Sequence, residues 1–162
     1  MKKILSLSLF LLSFLLNAQS KETIQINTLL DNWHKAAAQV RFEVYFNALA
    51  EESIFIGTDA TENWNKKQFM AFAKPYFDKG KAWSFAALER HVYFSKDKKT
   101  AWFDELLDTQ MKICRGSGVL VKEGKDWKIK QYVLSMTIPN DNVNEVIKIK
   151  APIEDALMDK LK

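Results

Sequence analysis

The sequence has few of the residues that build cross-linked, metal-binding or loop-rich proteins: one cysteine, two histidines, five glycines and three prolines among 162 residues. Because Cys114 is alone, an internal disulfide and most thiolate metal sites are excluded. The histidines, His34 and His91, lack the H-x-H or HExxH spacing of a metal site, and no glycine-rich loop suited to phosphates is present. We therefore predict no metal and no cofactor, and a fold that depends on its hydrophobic core.

An excess of charge of one sign is also missing. Lysine and arginine number 24 against 20 aspartates and glutamates, which gives a net charge of +4. The lysines are scattered and most lie near acidic residues, as they do on a solvated surface. Without a basic stripe or cluster, we predict no nucleic-acid partner.

The longest apolar run lies at the N-terminus. Two lysines precede the mostly apolar positions 4–16, and the small residues Ala18 and Ser20 follow. This order is typical of a secretory signal peptide, and the run is too short to cross a bilayer comfortably. We predict a signal peptide over residues 1–20, a periplasmic or secreted protein, and no membrane association after cleavage. An uncleaved N-terminal anchor is the alternative.

The spacing of apolar residues changes once along the rest of the chain. Helical spacing extends to Ala73, and alternation then extends from Trp83 to Ile138 with polar turns between the runs. Helices that precede consecutive hairpins indicate an α+β domain whose antiparallel sheet is covered on one face. Pro75 should stop or kink the third helix. The predicted helices cover 22–38, 41–50 and 65–73. The predicted strands cover 53–57, 83–95, 100–108, 111–122 and 127–138. We predict one domain over 21–140, followed by a tail over 141–162 that suits a short helix after Pro152.

With these elements, the chain from Glu22 to Pro139 resembles the SnoaL-like branch of the nuclear transport factor 2-like superfamily. The local markers are LAEESIFIG at 49–57, GSGVL at 116–120 and WKIKQYVLS at 127–135. The resemblance implies a cone-shaped α+β barrel, in which a curved antiparallel sheet wraps around the N-terminal helices. It also implies a pocket at the wide end and a homodimer formed through the sheet. Because members include isomerase-like, dehydratase-like and hydrolase-like enzymes and proteins without catalysis, the fold predicts where a site lies and not its chemistry.

Arg115 is the first candidate site residue. If Lys112 and Lys122 face water, alternation places Arg115 and Ser117 on the opposite, apolar face of their strand. A guanidinium in such a place needs a carboxylate or a ligand anion. The adjacent strand offers Asp104 or Glu105, only one of which can point inward, and the strand before it offers Arg90. This group is either one wall of a pocket or a buried ion pair that fixes strand register.

Asp59 follows the first strand, near the expected mouth of the pocket. The resemblance to epoxide hydrolase-like proteins implies that Asp59, Arg115 and Asp104 could be catalytic, with an aspartate as base and the arginine as anion stabiliser. The alternative is that Gly57-Thr58-Asp59 is an ordinary turn, which aspartate favours. His34 could face the pocket as a dehydratase-like base, or could have a surface or hydrogen-bonded structural role.

The sequence is rich in aromatic residues, and a pocket lined by them suits a flat or ring-bearing apolar ligand. The alternative is that these side chains fill the cone completely. Tyr45 or Tyr132 would present a hydroxyl in an enzyme. The predicted ligand-binding residues are Trp33, Tyr45, Trp64, Arg90, Trp102, Glu105, Ser117 and Tyr132.

These observations predict an exported SnoaL-like protein that binds a small, mostly apolar organic molecule as a homodimer. Two other functions are compatible with the sequence. One is a cofactor-independent acid-base enzyme of the isomerase, dehydratase or hydrolase type. The other is an interaction module that binds a protein through the outer face of its sheet.

Overall fold

The structure is a computed structural model that describes residues 20–162. Except for Ser20, the predicted signal peptide lies outside these residues. Ser20 caps the first helix, because its hydroxyl oxygen accepts a hydrogen bond from the Thr23 amide at 3.1 Å. In chain order the elements are α1 (Lys21–Ala38), α2 (Phe42–Asn47), β1 (Leu49–Ile56), β2 (Asn63–Asn65), α3 (Lys66–Asp78), β3 (Phe85–Phe94), β4 (Thr100–Thr109), β5 (Lys112–Glu123), β6 (Asp126–Met136), a 3₁₀ turn (Asn140–Asn142) and α4 (Val143–Leu161).

The six strands form one sheet in the order β2-β1-β6-β5-β4-β3. The predicted hairpins pair antiparallel, β3 with β4, β4 with β5 and β5 with β6, and the α+β class is confirmed. β1 pairs parallel to β6, with Phe55 opposite Tyr132, so the sheet is mixed and not wholly antiparallel. The sequence does not reveal this pair, because parallel neighbours are joined by long crossovers and not by a recognisable turn.

The core lies between the sheet and the first three helices. On α1, the buried residues Ile26, Leu30, Trp33 and Ala37 recur at spacings of three and four, which is the amphipathic stripe that the sequence predicts. The sheet contributes a matching set of buried side chains: Phe55, Ala101, Phe103, Leu107, Cys114, Leu120, Trp127, Ile129, Tyr132 and Leu134.

The sequence predicts that Pro75 stops or kinks the third helix. A stop is wrong, because the helix continues to Asp78. Its start is fixed by a capping box, in which Asn65 accepts from the Gln68 amide and the Gln68 side chain accepts from the Asn65 amide. The last turn is retained because Phe77 is buried against Phe42 and Trp83, with ring centroids 5.4 and 5.6 Å away. This burial offsets the hydrogen bond that proline cannot donate.

The tail forms a longer helix than predicted. α4 begins at Val143 and passes through Pro152 to Leu161, and none of its residues is buried. Ile149, Ile153 and Leu161 are 76%, 75% and 78% exposed. Within residues 20–162, no helix combines the length and apolar character needed to cross a membrane.

Candidate functional site

An apolar cavity of about 230 Å³ opens at one end of the sheet. It lies among the loop between β1 and β2, the exposed side of α3, and the turn between β4 and β5. Seven aromatic side chains dominate its wall: Phe55, Trp64, Phe69, Phe72, Tyr76, Trp83 and Phe85. This agrees with the predicted aromatic pocket: the rings line a cavity and do not fill it.

The sequence builds this wall mainly from one helical stripe. Phe69, Phe72 and Tyr76 follow one another at spacings of three and four on α3 and therefore share a face. The Trp64 ring lies 5.8 Å from that of Phe69 at 9° between planes, and 4.4 Å from that of Phe72 at 24°. The Trp83 ring lies nearly parallel to Phe69 as well, 5.8 Å away at 21°. The rings of this wall are therefore stacked in nearly parallel planes.

Few polar side chains line the cavity. They are those of Thr58, Glu62 and Gln110, and of these Glu62 carries a charge. The loop that carries Glu62 is closed by backbone hydrogen bonds, from the Gly57 amide to the Glu62 carbonyl at 3.0 Å and from the Glu62 amide to the Asp59 carbonyl at 3.0 Å. The Asp59 amide also donates to Glu62 Oε2 at 3.2 Å. These bonds fix the loop that brings Glu62 to the same cavity wall as the aromatic rings.

A second polar group lies deeper, around Glu105 on β4, which is 1% exposed. His34 Nε2 lies 2.9 Å from Glu105 Oε1, and the Tyr132 hydroxyl donates to the same oxygen at 3.1 Å. Arg90 Nε donates to Oε2 at 2.8 Å, and Nη2 lies 2.7 Å from it. Because an ionised carboxylate only accepts, His34 is the donor in its own bond.

The network reaches the surface through Arg90. Its Nη1 donates to the exposed Asp31 carboxylate at 2.8 Å and to the Asn27 carbonyl at 3.3 Å. Two carboxylates therefore flank a guanidinium that is itself almost completely buried. This is the pairing that a buried arginine requires. It also joins α1 to β3 and β4.

The environment keeps Glu105 ionised. Burial raises the pKa of its carboxyl, but the hydrogen bond and charge of His34 and the guanidinium of Arg90 together lower it, and the net pKa lies below the usual value. Burial, followed by the charge of Glu105, raises the pKa of the Tyr132 hydroxyl well above its usual value. Tyr132 therefore remains a proton donor to Glu105.

Aromatic rings separate this network from the cavity. His34, Arg90, Glu105 and Tyr132 do not line the cavity. Phe85 does, and its ring lies 5.9 Å from that of His34. Phe55 also does, and its ring lies 5.6 Å from that of Tyr132. The network supports the cavity wall from behind and does not contact the space inside.

Gly116 on β5 makes room for the network. A Cβ at this position would overlap the Tyr132 hydroxyl and would lie 2.9 Å from Glu105 Oε1 and 3.0 Å from Glu105 Cγ. A glycine is therefore needed here, because the Tyr132 hydroxyl and the buried carboxylate occupy the space that a side chain would fill.

The predicted inward orientation of Arg115 is wrong. Cys114, Gly116 and Leu120 face the core, while Arg115 is exposed on the outer face of β5. Arg115 therefore cannot flank the cavity, and Arg90 provides the buried guanidinium instead.

The error arises from the two lysines that were used to choose the outward face. Lys112 is the first residue of β5, next to the turn, and its φ of 68° departs from the extended backbone of the strand. Lys122 is near the other end, where its Nζ lies 5.5 Å from the centroid of the Trp127 ring. Long charged side chains at strand ends reach water from either face.

The other proposed catalytic residues are also separated from the cavity. Asp104 points to the outer face, with Oδ1 3.2 Å from Nδ1 of the exposed His91, so Glu105 is the inward member of the pair. Asp59 is exposed and accepts from the Thr61 hydroxyl at 2.6 Å and amide at 2.9 Å. These two bonds lower its pKa. This is the ordinary turn that was the alternative.

The predicted ligand-binding residues divide into four places. Trp64 lines the cavity. Arg90, Glu105 and Tyr132 meet in the buried network, as the pairing of Arg90 opposite Glu105 across β3 and β4 requires. Trp33 and Tyr45 stack in the core, with ring centroids 4.9 Å apart. Trp102 and Ser117 lie on the outer face of the sheet.

Two functional features were missed in the sequence. His34 was considered without its partner, and its buried bond to Glu105 crosses 71 positions, which no local pattern reveals. Glu62 was not singled out, because a glutamate after a turn resembles many surface residues. The helical spacing of Phe69, Phe72 and Tyr76 was the available signal for the cavity wall. Among residues 20–162, no group of three or more His, Cys, Asp or Glu is arranged to hold a metal ion.

A family model described as the SnoaL-like domain matches residues 26–139 of the chain. A search of curated protein sequences returns no significant match. The matched segment begins within α1 and ends after β6, so it contains the cavity and the buried network.

Solved structures with the same fold are distant in sequence. A nuclear transport factor 2-like protein of unknown function from Pseudomonas putida is 12% identical, with a TM-score of 0.61 over 74% of this chain and 89% of that chain. A candidate dehydratase of the nuclear transport factor 2-like family from Streptomyces avermitilis is 11% identical, with a TM-score of 0.63 over 73% and 97%. A candidate scytalone dehydratase from Novosphingobium aromaticivorans is 11% identical, with a TM-score of 0.62 over 72% and 85%. Similarity at this level shows a shared fold.

Proposed function

Because the chain belongs to the SnoaL-like domain family, whose fold fixes the location of a site and not its chemistry, we propose that it binds a small, flat, mostly apolar organic molecule. The ligand enters the aromatic cavity and lies against the rings of Trp64, Phe72 and Trp83. The parallel arrangement of these rings beside an unfilled space of about 230 Å³ carries this proposal.

Binding is favoured over acid-base catalysis by the positions of the titratable groups. A general base must be within hydrogen-bond reach of the proton that it removes, with a pKa suited to the working pH. Glu105 is buried behind the cavity wall, holds three partners and has a lowered pKa. It has the properties of a structural anion.

A cofactor-independent dehydratase is the second candidate, and the His34–Glu105 pair favours it. Two structures with this fold are named as candidate dehydratases, and a histidine oriented by a carboxylate is a common general base. This function requires the Phe85 ring to move, since Phe85 lies between the cavity and His34. Loss of water from a hydroxy ketone, seen as the absorbance of a conjugated product and abolished in His34→Gln, would support it.

We further propose that the protein is a homodimer formed through the outer face of the sheet. Tyr93 and Trp102 are 45% and 47% exposed there, and their rings stack at 6.0 Å. Exposed aromatic pairs of this kind are typical of interfaces. The signal peptide and periplasmic or secreted location remain predictions from the sequence.

Ligand binding is tested by isothermal titration of the purified protein with 2-naphthylmethanol, a neutral bicyclic arene. Met111→Trp should weaken binding at least about tenfold, because Met111 lines the cavity and a larger side chain fills it. Arg115→Ala and Trp102→Leu change the outer face and should bind as the wild type does. Unchanged binding by Met111→Trp, or a folded wild type that binds neither this alcohol nor its charged analogues, would overturn the proposal.

A further inference from the structure

We propose that the ligand of the aromatic cavity is a cation, an organic ammonium or amidinium group attached to a flat apolar body, and that Glu62 binds the charged end. This inference depends on the proposed binding function and specifies the chemical class of the ligand. It follows from the charge of the cavity wall, the position of Glu62 and the chemistry of the surrounding rings.

Glu62 is placed against the cavity by its loop. The half-buried side chain lines the space, and the Asp59 amide fixes one carboxylate oxygen, Oε2. Gly57 is essential to this position, because a Cβ there would overlap Oε2 and lie 2.9 Å from Glu62 Cδ. The absence of a side chain at Gly57 lets the carboxylate fold over the end of β1.

No basic residue balances this charge within the cavity wall, as far as residues 20–162 show. Lys66, which is close in sequence, donates to the Leu49 carbonyl and to Glu51 at 3.2 Å each. Lys150 and Lys160 of α4 line a separate groove on the Asp59 side of the loop, and Lys150 pairs with Glu154 at 2.8 Å. A carboxylate partly removed from water gains most from a cationic ligand.

The remaining wall favours the same ligand charge. Aromatic faces carry negative potential and attract cations, most strongly in tryptophan. Trp64 and Trp83 both line the cavity, with Tyr76 at its exposed side. An anionic ligand would be repelled by the Glu62 carboxylate and by the negative potential of the ring faces. A neutral ligand would gain only the apolar contacts. The wall therefore discriminates ligands by charge.

Three naphthalenes that differ in one group test this inference: 2-naphthylmethylamine as the ammonium, 2-naphthylmethanol as the neutral form and 2-naphthoate as the anion. Titration calorimetry at pH 7 should show the ammonium binding about tenfold or more tighter than the alcohol, with the anion weakest. Glu62→Gln should reduce the ammonium's advantage over the alcohol to less than about threefold.

Two further variants test whether the preference for the ammonium depends on the position of the Glu62 carboxylate. Gly57→Ala keeps the carboxylate but displaces it, and should also reduce the preference for the ammonium. Glu123→Gln makes the same chemical change at an exposed position at the end of β5, and should retain the full preference.

The possible failures are distinguishable. If the alcohol binds the wild type as tightly as the ammonium, or if Glu62→Gln keeps the ammonium's advantage, the charge inference is wrong and the binding function stands. If none of the three compounds binds the folded wild type, the binding function is wrong, and the charge inference falls with it.

Discussion

His34 Nε2 lies 2.9 Å from Glu105 Oε1, and this bond joins α1 to β4 in the core. Both side chains are almost completely buried. Glu105 also accepts hydrogen bonds from Tyr132 on β6 and from Arg90 on β3. One carboxylate on β4 therefore connects α1 with strands β3, β4 and β6. Removing a partner from such a network leaves buried polar groups without hydrogen bonds, which costs more free energy than the net worth of the bonds themselves.

Glu105→Gln should therefore reduce the free energy of unfolding by about 3 kcal/mol, because the buried Arg90 and His34 lose their ionised partner. Urea denaturation followed by circular dichroism at pH 7 measures this change. Asp104→Asn is the matched control on the outer face, where the bond to His91 is exposed, and should cost less than about 0.5 kcal/mol. Equal losses in the two variants would contradict the structural role of Glu105.

The stability of the protein should depend on pH through the same carboxylate. The folded state lowers the pKa of Glu105 below its usual value of 4.5, so the folded state favours the ionised form. The stabilisation is therefore fully present above pH 4.5 and is lost as the pH falls through the lowered pKa.

Urea titrations of the wild type and Glu105→Gln at pH 7, 5, 4 and 3 test this dependence. The difference in unfolding free energy between the two proteins should be similar at pH 7 and pH 5 and should shrink below pH 4.5. A constant difference down to pH 3 would show that ionisation of Glu105 does not contribute.

Gly116→Ala should lower the free energy of unfolding by about 1–3 kcal/mol, because the added methyl overlaps the Tyr132 hydroxyl. Ser117→Ala, one residue further along the strand on the outer face, should have little effect. Tyr132→Phe alone should cost about 1 kcal/mol by removing a hydrogen bond to Glu105.

The double variant gives the sharper test of Gly116. Without the Tyr132 hydroxyl the methyl has more room, so Gly116→Ala should cost less in the Tyr132→Phe background than in the wild type. Strictly additive unfolding free energies would show that the hydroxyl is not what excludes a side chain at Gly116.

Trp102→Lys should convert the proposed dimer to a monomer, because a charged side chain replaces an exposed ring on the outer sheet face. Size-exclusion chromatography with light scattering measures the mass of each species. Leu161→Lys makes a comparable change at an exposed apolar side chain of α4 and should leave the mass unchanged. A wild type that is monomeric at micromolar concentration would end the dimer proposal.

Local sequence patterns predicted most elements but not all of their relations. The hairpins from β3 to β6 were predictable, because alternation and turn residues act between neighbours in the chain. The parallel pairing of β1 with β6 was not, since these strands are distant in sequence. The predicted stop at Pro75 failed for a related reason: the contacts that retain the last turn of α3 come from Phe42 and Trp83, which lie outside that helix.

The candidate site shows the same division. Alternation required that one of Asp104 and Glu105 point inward, but it could not choose between them. The choice on β5 was wrong, because Lys112 and Lys122 lie near strand ends and Arg115 was assigned to the face opposite theirs. Glu62 has no sequence signal, since its position depends on the space that Gly57 leaves in the folded loop.

The sequence by itself determined the α+β class, the resemblance to the SnoaL-like family and the wealth of aromatic residues, because periodicity and composition are properties of neighbouring residues. Only the tertiary structure decided which rings enclose a cavity, which carboxylate is buried and which arginine meets it. Those outcomes depend on the twist and register of strands far apart in the chain, where a shift of one residue exchanges the two faces of a strand.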